Sequence, residues 1–354
     1  MSVDLHFRDK IRVAVLGATG CVGQKFIQKL VQHPWFDLVA VCASERSVGR
    51  PYGEVVHWLM ETPLPDDVAA MIIEPCHPSQ NCQIVFSGLD STVAGVIEAA
   101  YAQAGYAVIS NSSHYRMAPQ VPLVIGEVNP DHLALVKKQN FEKGLIVTNP
   151  NCSAIGLTLA LKPVYDLCGI EALHVTTFQS VSGAGYPGVA SLDILDNVIP
   201  YISGEEEKLQ QEPLKLLGRL TEEGIEPAQF VISAQCNRVP VTTGHLATVS
   251  IKLKEKVEPS RLIAAWRGFR AEPQERILPS APFHPLYYFE EKSYPQPKLH
   301  RSLEKEMGVA IGGLRACPLF DYKFTVLSHN TMRGAVGSAL LNAELLVKQG
   351  YIYW

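Results

Sequence analysis

The sequence predicts an α/β protein in two parts: an open, mainly parallel sheet in the first half, and an α+β second half built on a mixed sheet. Three observations carry this. From Ile11 to Leu167 short apolar runs alternate with helical patterns, the rhythm of βαβ units. A glycine-rich turn, Gly17-Ala18-Thr19-Gly20-Cys21-Val22-Gly23, follows the first of those runs. Beyond Val231 the runs alternate apolar with polar residues, as strands with one buried face do. The first domain is expected over 1–151, completed by a C-terminal helix over 331–354, and the second over 152–330.

Length and composition bound the rest. A chain of 354 residues, 47% hydrophobic and 19% charged, is long enough for two packed domains and too apolar for disorder. Its net charge of −4 leaves no basic footprint, so nucleic acid is not an expected partner. No apolar run approaches a bilayer's thickness, and the polar opening Met1–Lys10 has no signal-peptide core. Cysteines at 21, 42, 76, 82, 152, 168, 236 and 317 form no CxxC pair, which points to reduced thiols in a cytoplasmic compartment. The scattered histidines give no zinc cluster, and no metal is expected.

Taken in order, Ile11–Leu16 reads as a buried parallel strand running into the glycine turn and a helix through Phe26, Ile27, Leu30 and Val31. Strand, glycine turn and helix in that order make a dinucleotide-binding element, the glycines permitting close approach of a pyrophosphate. The second strand, Leu38–Ala43, ends in Ser44-Glu45-Arg46-Ser47. An NAD site usually places an acidic residue there to hold the ribose hydroxyls. Hydroxyls and an arginine suit a 2′-phosphate instead, which favours NADP; Glu45 is the residue that would argue otherwise. A third strand, Gln83–Phe86, leads to Ser87-Gly88 and an alanine-rich helix, Thr92–Ala104. The strand Ala107–Ser110 follows, then Asn111-Ser112-Ser113-His114-Tyr115-Arg116. Ligands bind at the carboxyl ends of such strands, so Arg116 is a candidate anion holder, while His114 reads as structural. Pro51–Pro78 shows no clear pattern.

Leu145–Val147 is the next strand. It turns through Asn149-Pro150-Asn151 into an apolar helix, Ala154–Leu167, with Cys152 in its first turn. Asn151 is a good N-cap, and the helix dipole there favours a thiolate, so the expected thiol pKa is low. A strand over Ala172–Val181 ends in Ser182-Gly183-Ala184-Gly185, a loop that lets backbone approach a ligand. Glu205-Glu206-Glu207-Lys208 reads as a solvated helix start. Arg238 and His245 bracket a Pro/Gly turn, and they supply the anion anchor and the base that a nucleophilic cysteine needs. Strands over Ala247–Ile251, Val309–Ile311 and Phe324–Leu327 complete the second sheet. The last helix, Met332–Gln349, is apolar enough to need docking, and the first sheet is the expected place. The Pro-rich stretch Leu278–Phe289 is a candidate subunit contact.

With these residues assembled, the chain resembles the aspartate-semialdehyde dehydrogenases, the archaeal and fungal branch in particular. The resemblance runs nearly end to end, through GATGCVGQ, NPNCSAIG, QSVSGAGYPG, GEEEK, CNRVPVTTGH and SHNTMRGAVG. Leu246 departs from it, standing where a small residue is usual. The resemblance implies a Rossmann-like NADP-binding domain and a catalytic and dimerisation domain. It implies NADPH-dependent conversion of aspartyl phosphate to aspartate semialdehyde, with release of phosphate, through a thioester on Cys152. His245 would be the acid/base, Gln179 would orient the reacting group, and Arg238 would pair with the substrate carboxylate. Glu205 or Glu206, with Lys208 and Arg116, would bind the substrate ammonium and phosphate. Gly17, Thr19, Gly20, Cys21, Val22, Ser44, Arg46, Ser47, Ser87, Ser182, Gly183 and Asn330 would contact NADP. A cytoplasmic homodimer or homotetramer is implied, with neither nucleic acid nor membrane as a partner. Two other readings stand beside this one: a malonyl-CoA reductase of the same fold, and a non-catalytic NADP-binding redox sensor with Cys152 as its thiol.

Overall fold

Six strands form the first sheet: β1 (Ile11–Leu16), β2 (Phe36–Ala43), β3 (Glu74–Pro75), β4 (Ile84–Ser87), β5 (Ala107–Ser110) and β6 (Leu145–Thr148). Their order is β3-β2-β1-β4-β5-β6, and every pairing is parallel. The computed structural model describes residues 10–352. The opening Met1–Asp9, read above as lacking a signal region, and Tyr353 and Trp354 lie outside the described residues.

β4, β5 and β6 are buried at every residue because helices cover both faces of the sheet, which is why these runs are apolar throughout rather than alternating. The helix Ser91–Gln103, capped by Asp90, puts Tyr101 and Ala102 on one face beside Val85, Val108 and Ile146. On the other face Phe26, Ile27 and Leu30 of the helix Cys21–Leu30 share a core with Leu340, Leu341 and Leu345 of the last helix, Gly337–Lys348. The connections reverse direction between β1 and β4, which opens a crevice at the carboxyl ends of these two strands. Pro51–Pro78, patternless in sequence, holds two one-turn helices and β3.

The second sheet is mixed. Its strands are β7 (Ile170–Gln179), β10 (Val231–Arg238), β11 (His245–Leu253), β12 (Leu286–Phe289), β13 (Val309–Ala316) and β14 (Tyr322–Ser328), with a separate hairpin of β8 (Arg219–Leu220) and β9 (Ile225–Glu226). The order is β10-β7-β11-β14-β13-β12. β10 runs parallel to β7 and β12 to β13, while the central pairs are antiparallel. The helix Cys152–Cys168 packs on this sheet through Ile155, Leu159 and Leu161. Trp266, fully buried, donates its indole N–H to the Ala160 carbonyl at 2.9 Å. Asn151 caps the helix by accepting from Ser153 N and Ala154 N.

Two details depart from the sequence reading. The final helix begins as a wider π turn, Met332–Val336, a local expansion that tends to occur at functional sites. In the Pro-rich stretch, Leu278 is 3% exposed and belongs to the core of its own chain, whereas Phe283 is 75% exposed. Among the described residues no helix is long and apolar enough to cross a membrane.

Candidate active site

The crevice at the β1/β4 reversal opens into a cleft of about 450 Å³ between the two sheets. Turns from both halves line it: Cys21 and Val22 after β1, Arg116 after β5, Cys152 after β6, Ser182 and Gly183 after β7, and Arg238 and Asn330 at the ends of β10 and β14. Residues as far apart in sequence as Cys21 and Asn330 thus meet at strand ends.

Cys152 Sγ lies 3.2 Å from His245 Nε2. On the far side of the ring, Nδ1 accepts the Ser180 backbone N–H at 3.1 Å, and Ser180 Oγ lies at the same distance. The backbone amide can only donate, so it favours the tautomer with its proton on Nε2, facing sulfur. The hydroxyl can accept instead, which gives the Nδ1–H tautomer a partner and frees the Nε2 lone pair for a proton from the thiol. Both proton positions are served without the ring turning over.

Burial reverses the expectation for the thiol. Desolvation, and then the charge of Glu205, push the Cys152 pKa up to about 12, against Arg116 and Arg238, which pull it down. Desolvation with the Arg238 charge lowers His245 to about 3. Both shifts favour the uncharged forms, thiol and neutral imidazole, and for the thiol partial burial and the Glu205 charge together outweigh the helix N-terminus.

Arg238 donates through Nη1 to the Ser180 carbonyl at 2.8 Å. Glu205 accepts from Asn151 Nδ2, Gln179 Nε2 and Lys208 Nζ. Burial works against its charge, but Lys208 and these hydrogen bonds prevail, and its pKa is lowered. Glu205 is thus a buried carboxylate rather than a solvated helix start. Gln179 is buried behind it at 1% exposure, outside the cleft lining. Glu206 does not line the cleft: its carboxylate accepts the Cys236 N–H at 3.0 Å, so of the two neighbours it is Glu205 that faces a ligand. Asn330 Nδ2 donates to Ser182 Oγ, and its Oδ1 accepts from Gly244 N and Ser180 Oγ.

The glycine turn has the shape a pyrophosphate needs. Gly17 has φ +75°, and a Cβ there would come within 2.9 Å of the Gly88 carbonyl oxygen, so backbone from the β1 and β4 turns closes together as no larger residue allows. Thr19 and Gly20 complete this turn before the helix at Cys21. At the end of β2, Ser47 N donates to the Ser44 carbonyl and closes a turn with Arg46 exposed at its tip. Ser87 is a correction: it is fully buried at the end of β4 and its carbonyl accepts the Asn111 N–H, so Leu89, Asp90 and Ser91 reach the cleft instead.

A family model described as the semialdehyde dehydrogenase NAD binding domain matches residues 12–136, and one described as the semialdehyde dehydrogenase dimerisation domain matches 161–333. The aspartate-semialdehyde dehydrogenase of Archaeoglobus fulgidus is 47% identical over 346 residues, covering 96% of this chain and 99% of the relative. That of Schizosaccharomyces pombe is 43% identical over 351 residues, 96% and 98% of the two chains. The chain belongs to the aspartate-semialdehyde dehydrogenase family. Among solved structures, the Candida albicans aspartate semialdehyde dehydrogenase with NADP matches at TM-score 0.91 and 38% identity, over 97% of this chain and 100% of that one. Aspartate semialdehyde dehydrogenase II of Vibrio cholerae, complexed with ASA, matches at 0.77 and 25%, over 96% and 99%.

For a member of the aspartate-semialdehyde dehydrogenase family, the sequence reading missed two residues that shape the site. Ser180 partners His245 Nδ1 in either tautomer. Glu212, 2% exposed, holds Arg116 and Asn151. Glu205 and Glu212 are seven apart on one helix, and that spacing places both on the same face, a signal available in advance. Among the described residues no group of His, Cys, Asp or Glu is arranged to hold a metal.

Buried histidines set a pH dependence. His132, His245 and His329 all have lowered pKa values, chiefly through desolvation. The unfolded chain therefore binds more protons than the native one below the ordinary histidine pKa, and stability falls as pH falls. His245 and His329, lowered to about 3 and about 4, each contribute up to about 1.4 kcal/mol per pH unit between about pH 6.5 and those values, and His132 acts in the same direction. Glu98 and Glu212, whose pKa values are raised by burial, act in the opposite sense but nearer the carboxylate range. The melting temperature is expected to drop steadily between about pH 6.5 and 5, and a flat profile in thermal melts would contradict the neutral assignment of these rings.

Proposed function

We propose that this chain catalyses the NADPH-dependent reductive dephosphorylation of L-aspartyl-4-phosphate to L-aspartate-4-semialdehyde, reversibly, through a thioester on Cys152. The observation that carries the reading is the Cys152–His245 contact in a cleft that also holds two arginines and a Glu205–Lys208 pair. A thiol alone would serve many chemistries. The surrounding charges suit a small amino acid with an anion at each end and an ammonium between.

In this reading Arg238 grips the substrate carboxylate, Glu205 the ammonium, and Arg116 with Lys208 the phosphate, each as charge-assisted hydrogen bonds. The sulfur attacks the acyl carbon; the C–O bond to phosphate breaks, and the thiol proton, taken by His245 Nε2, leaves with the phosphate. Gln179, anchored on Glu205, steadies the carboxylate that orients the substrate. The Gly17–Val22 turn, the Ser44–Ser47 turn with Arg46 facing a 2′-phosphate, and Ser182, Gly183 and Asn330 would hold NADP. When bound, NADPH supplies the reducing equivalent that converts the thioester to the aldehyde. Release of the thiolate leaves sulfur one proton short, and His245 relays that proton to it from solvent, so each turnover consumes one proton.

The NADP-binding domain spans 1–151 with the C-terminal helix 331–354; the catalytic and dimerisation domain spans 152–330. Packing of Leu340 and Leu345 on the first core supports the assignment of that helix. The chain works as a homodimer or a homotetramer, in the cytoplasm, where its free cysteines stay reduced. A redox sensor would have no use for Arg238 and Glu205 around its thiol.

The test is NADP+ reduction with L-aspartate semialdehyde, with and without inorganic phosphate, and with coenzyme A in place of phosphate. Strong phosphate-dependent turnover is expected. No turnover with phosphate, but oxidation of NADPH by malonyl-CoA, would keep the thioester and replace the substrate.

A further inference from the structure

The helix Glu205–Leu216 presents Glu205, Lys208, Glu212 and Lys215 along one side. The first two face the ligand. The other two grip the protein itself. Glu212 Oε1 accepts from Arg116 Nη1 at 3.0 Å, and Oε2 accepts the Asn151 backbone N–H at 2.6 Å. Lys215 Nζ donates to the carbonyls of Arg116, Ala118 and Val121. Both side chains are buried, Glu212 at 2% and Lys215 at 6% exposure. The backbone on either side of Arg116 is therefore fixed by Lys215, and its guanidinium by Glu212 together with the Asn111 carbonyl at 2.8 Å. Arg116 Nε, buried against the cleft, has no hydrogen-bond partner among the described residues. A polar N–H so placed is costly unless something accepts from it.

We infer that Glu212 is a positioning residue for the phosphate step: its carboxylate bridges Arg116 to the turn carrying Cys152, setting the guanidinium, which lines the cleft, at a fixed reach from the sulfur. This rests on the reading of Arg116 as a phosphate anchor given above. One carboxylate from the second domain holds two donors from the first, the Arg116 guanidinium and the backbone N–H beside Cys152, so the phosphate holder and the nucleophile are tied to one group. Glutamine at 212 keeps the volume but offers one acceptor instead of two. The Asn151 N–H belongs to fixed backbone and retains the carbonyl oxygen. The guanidinium ends a flexible side chain, meets an NH2 group, and swings away.

The experiment compares wild type, E212Q, R116A and the double variant by two readouts. One is the single-turnover formation of NADPH from L-aspartate semialdehyde without phosphate, which reports thioester formation. The other is KM for inorganic phosphate in steady state. E212Q is expected to leave the single turnover within about twofold and to raise the phosphate KM about tenfold or more. Added to R116A, it is expected to raise that KM less than about twofold further, because the two act through one contact. An unchanged phosphate KM in E212Q, where R116A raises it, overturns the positioning role. So does a slowing of the single turnover as large as the effect on phosphate. An R116A enzyme with normal phosphate KM overturns the anchor reading itself, a separate failure. If E212Q does not fold, E212D decides by the same readouts, since a side chain one methylene shorter cannot reach both donors.

Discussion

Cys152→Ala should lower phosphate-dependent turnover by at least roughly 10⁴-fold while NADPH binding, followed by fluorescence, stays within about twofold of wild type. The effect is large because in the proposed reaction the acyl group sits on sulfur between the two half-reactions, and Cys152 Sγ is the nucleophile in contact with His245 Nε2. Cofactor binding is spared because the Gly17 turn and the Ser44–Ser47 turn belong to the ends of β1 and β2, away from the sulfur. Appreciable residual turnover in Cys152→Ala would sink the covalent mechanism. Loss of NADPH binding together with turnover would mean that the alanine had disturbed the crevice as a whole.

Arg333→Met is expected to be the most destabilising single change in the molecule. Arg333 and Glu127 are wholly buried, paired through Nη1 to Oε2 at 3.2 Å and through Nη2 to Oε1. Removing the arginine leaves a carboxylate stranded in the interior, at a cost of about 3–5 kcal/mol. In a chain of this size that corresponds to a melting temperature lower by roughly 4–7 °C. The double variant Glu127→Leu/Arg333→Met, with no stranded charge, should recover most of the loss. A single variant that melts within about 1 °C of wild type would contradict this account of the buried pair. Activity should fall with stability in the single variant, because Arg333 anchors the π turn that carries Gly334. A Cβ on Gly334 would lie 2.7 Å from Cys152 Cβ. The turn presses directly on the nucleophile.

Much of the site was legible before any coordinates because its parts are local motifs with local causes. Asn151 had to cap the helix that carries Cys152, and it does. The glycine turn after β1 had to close tightly, and Gly17 with its positive φ does so against Gly88. The parallel first sheet followed from buried apolar runs separated by helical patterns, and the mixed second sheet from alternation. Glu205 and Glu206 could not be separated in that way. Adjacent helical residues differ by about 100° in direction, and which one faces the cleft depends on how the helix is rotated against β10.

The sequence by itself determined the elements, the nucleophile's place at a helix start, and the identity of the charged groups around it, since these follow from periodicity, capping and residue chemistry acting over a few positions. Tertiary structure alone decided the protonation of the cysteine–histidine pair. The helix dipole favours a thiolate locally, but partial burial between two domains and the Glu205 charge disfavour it and outweigh the dipole. Tertiary structure also brought Glu212 to Arg116, 96 positions away, and Ser180 to His245, 65 away. No local pattern encodes those meetings, because they come from the way two sheets lay their strand ends around one cleft.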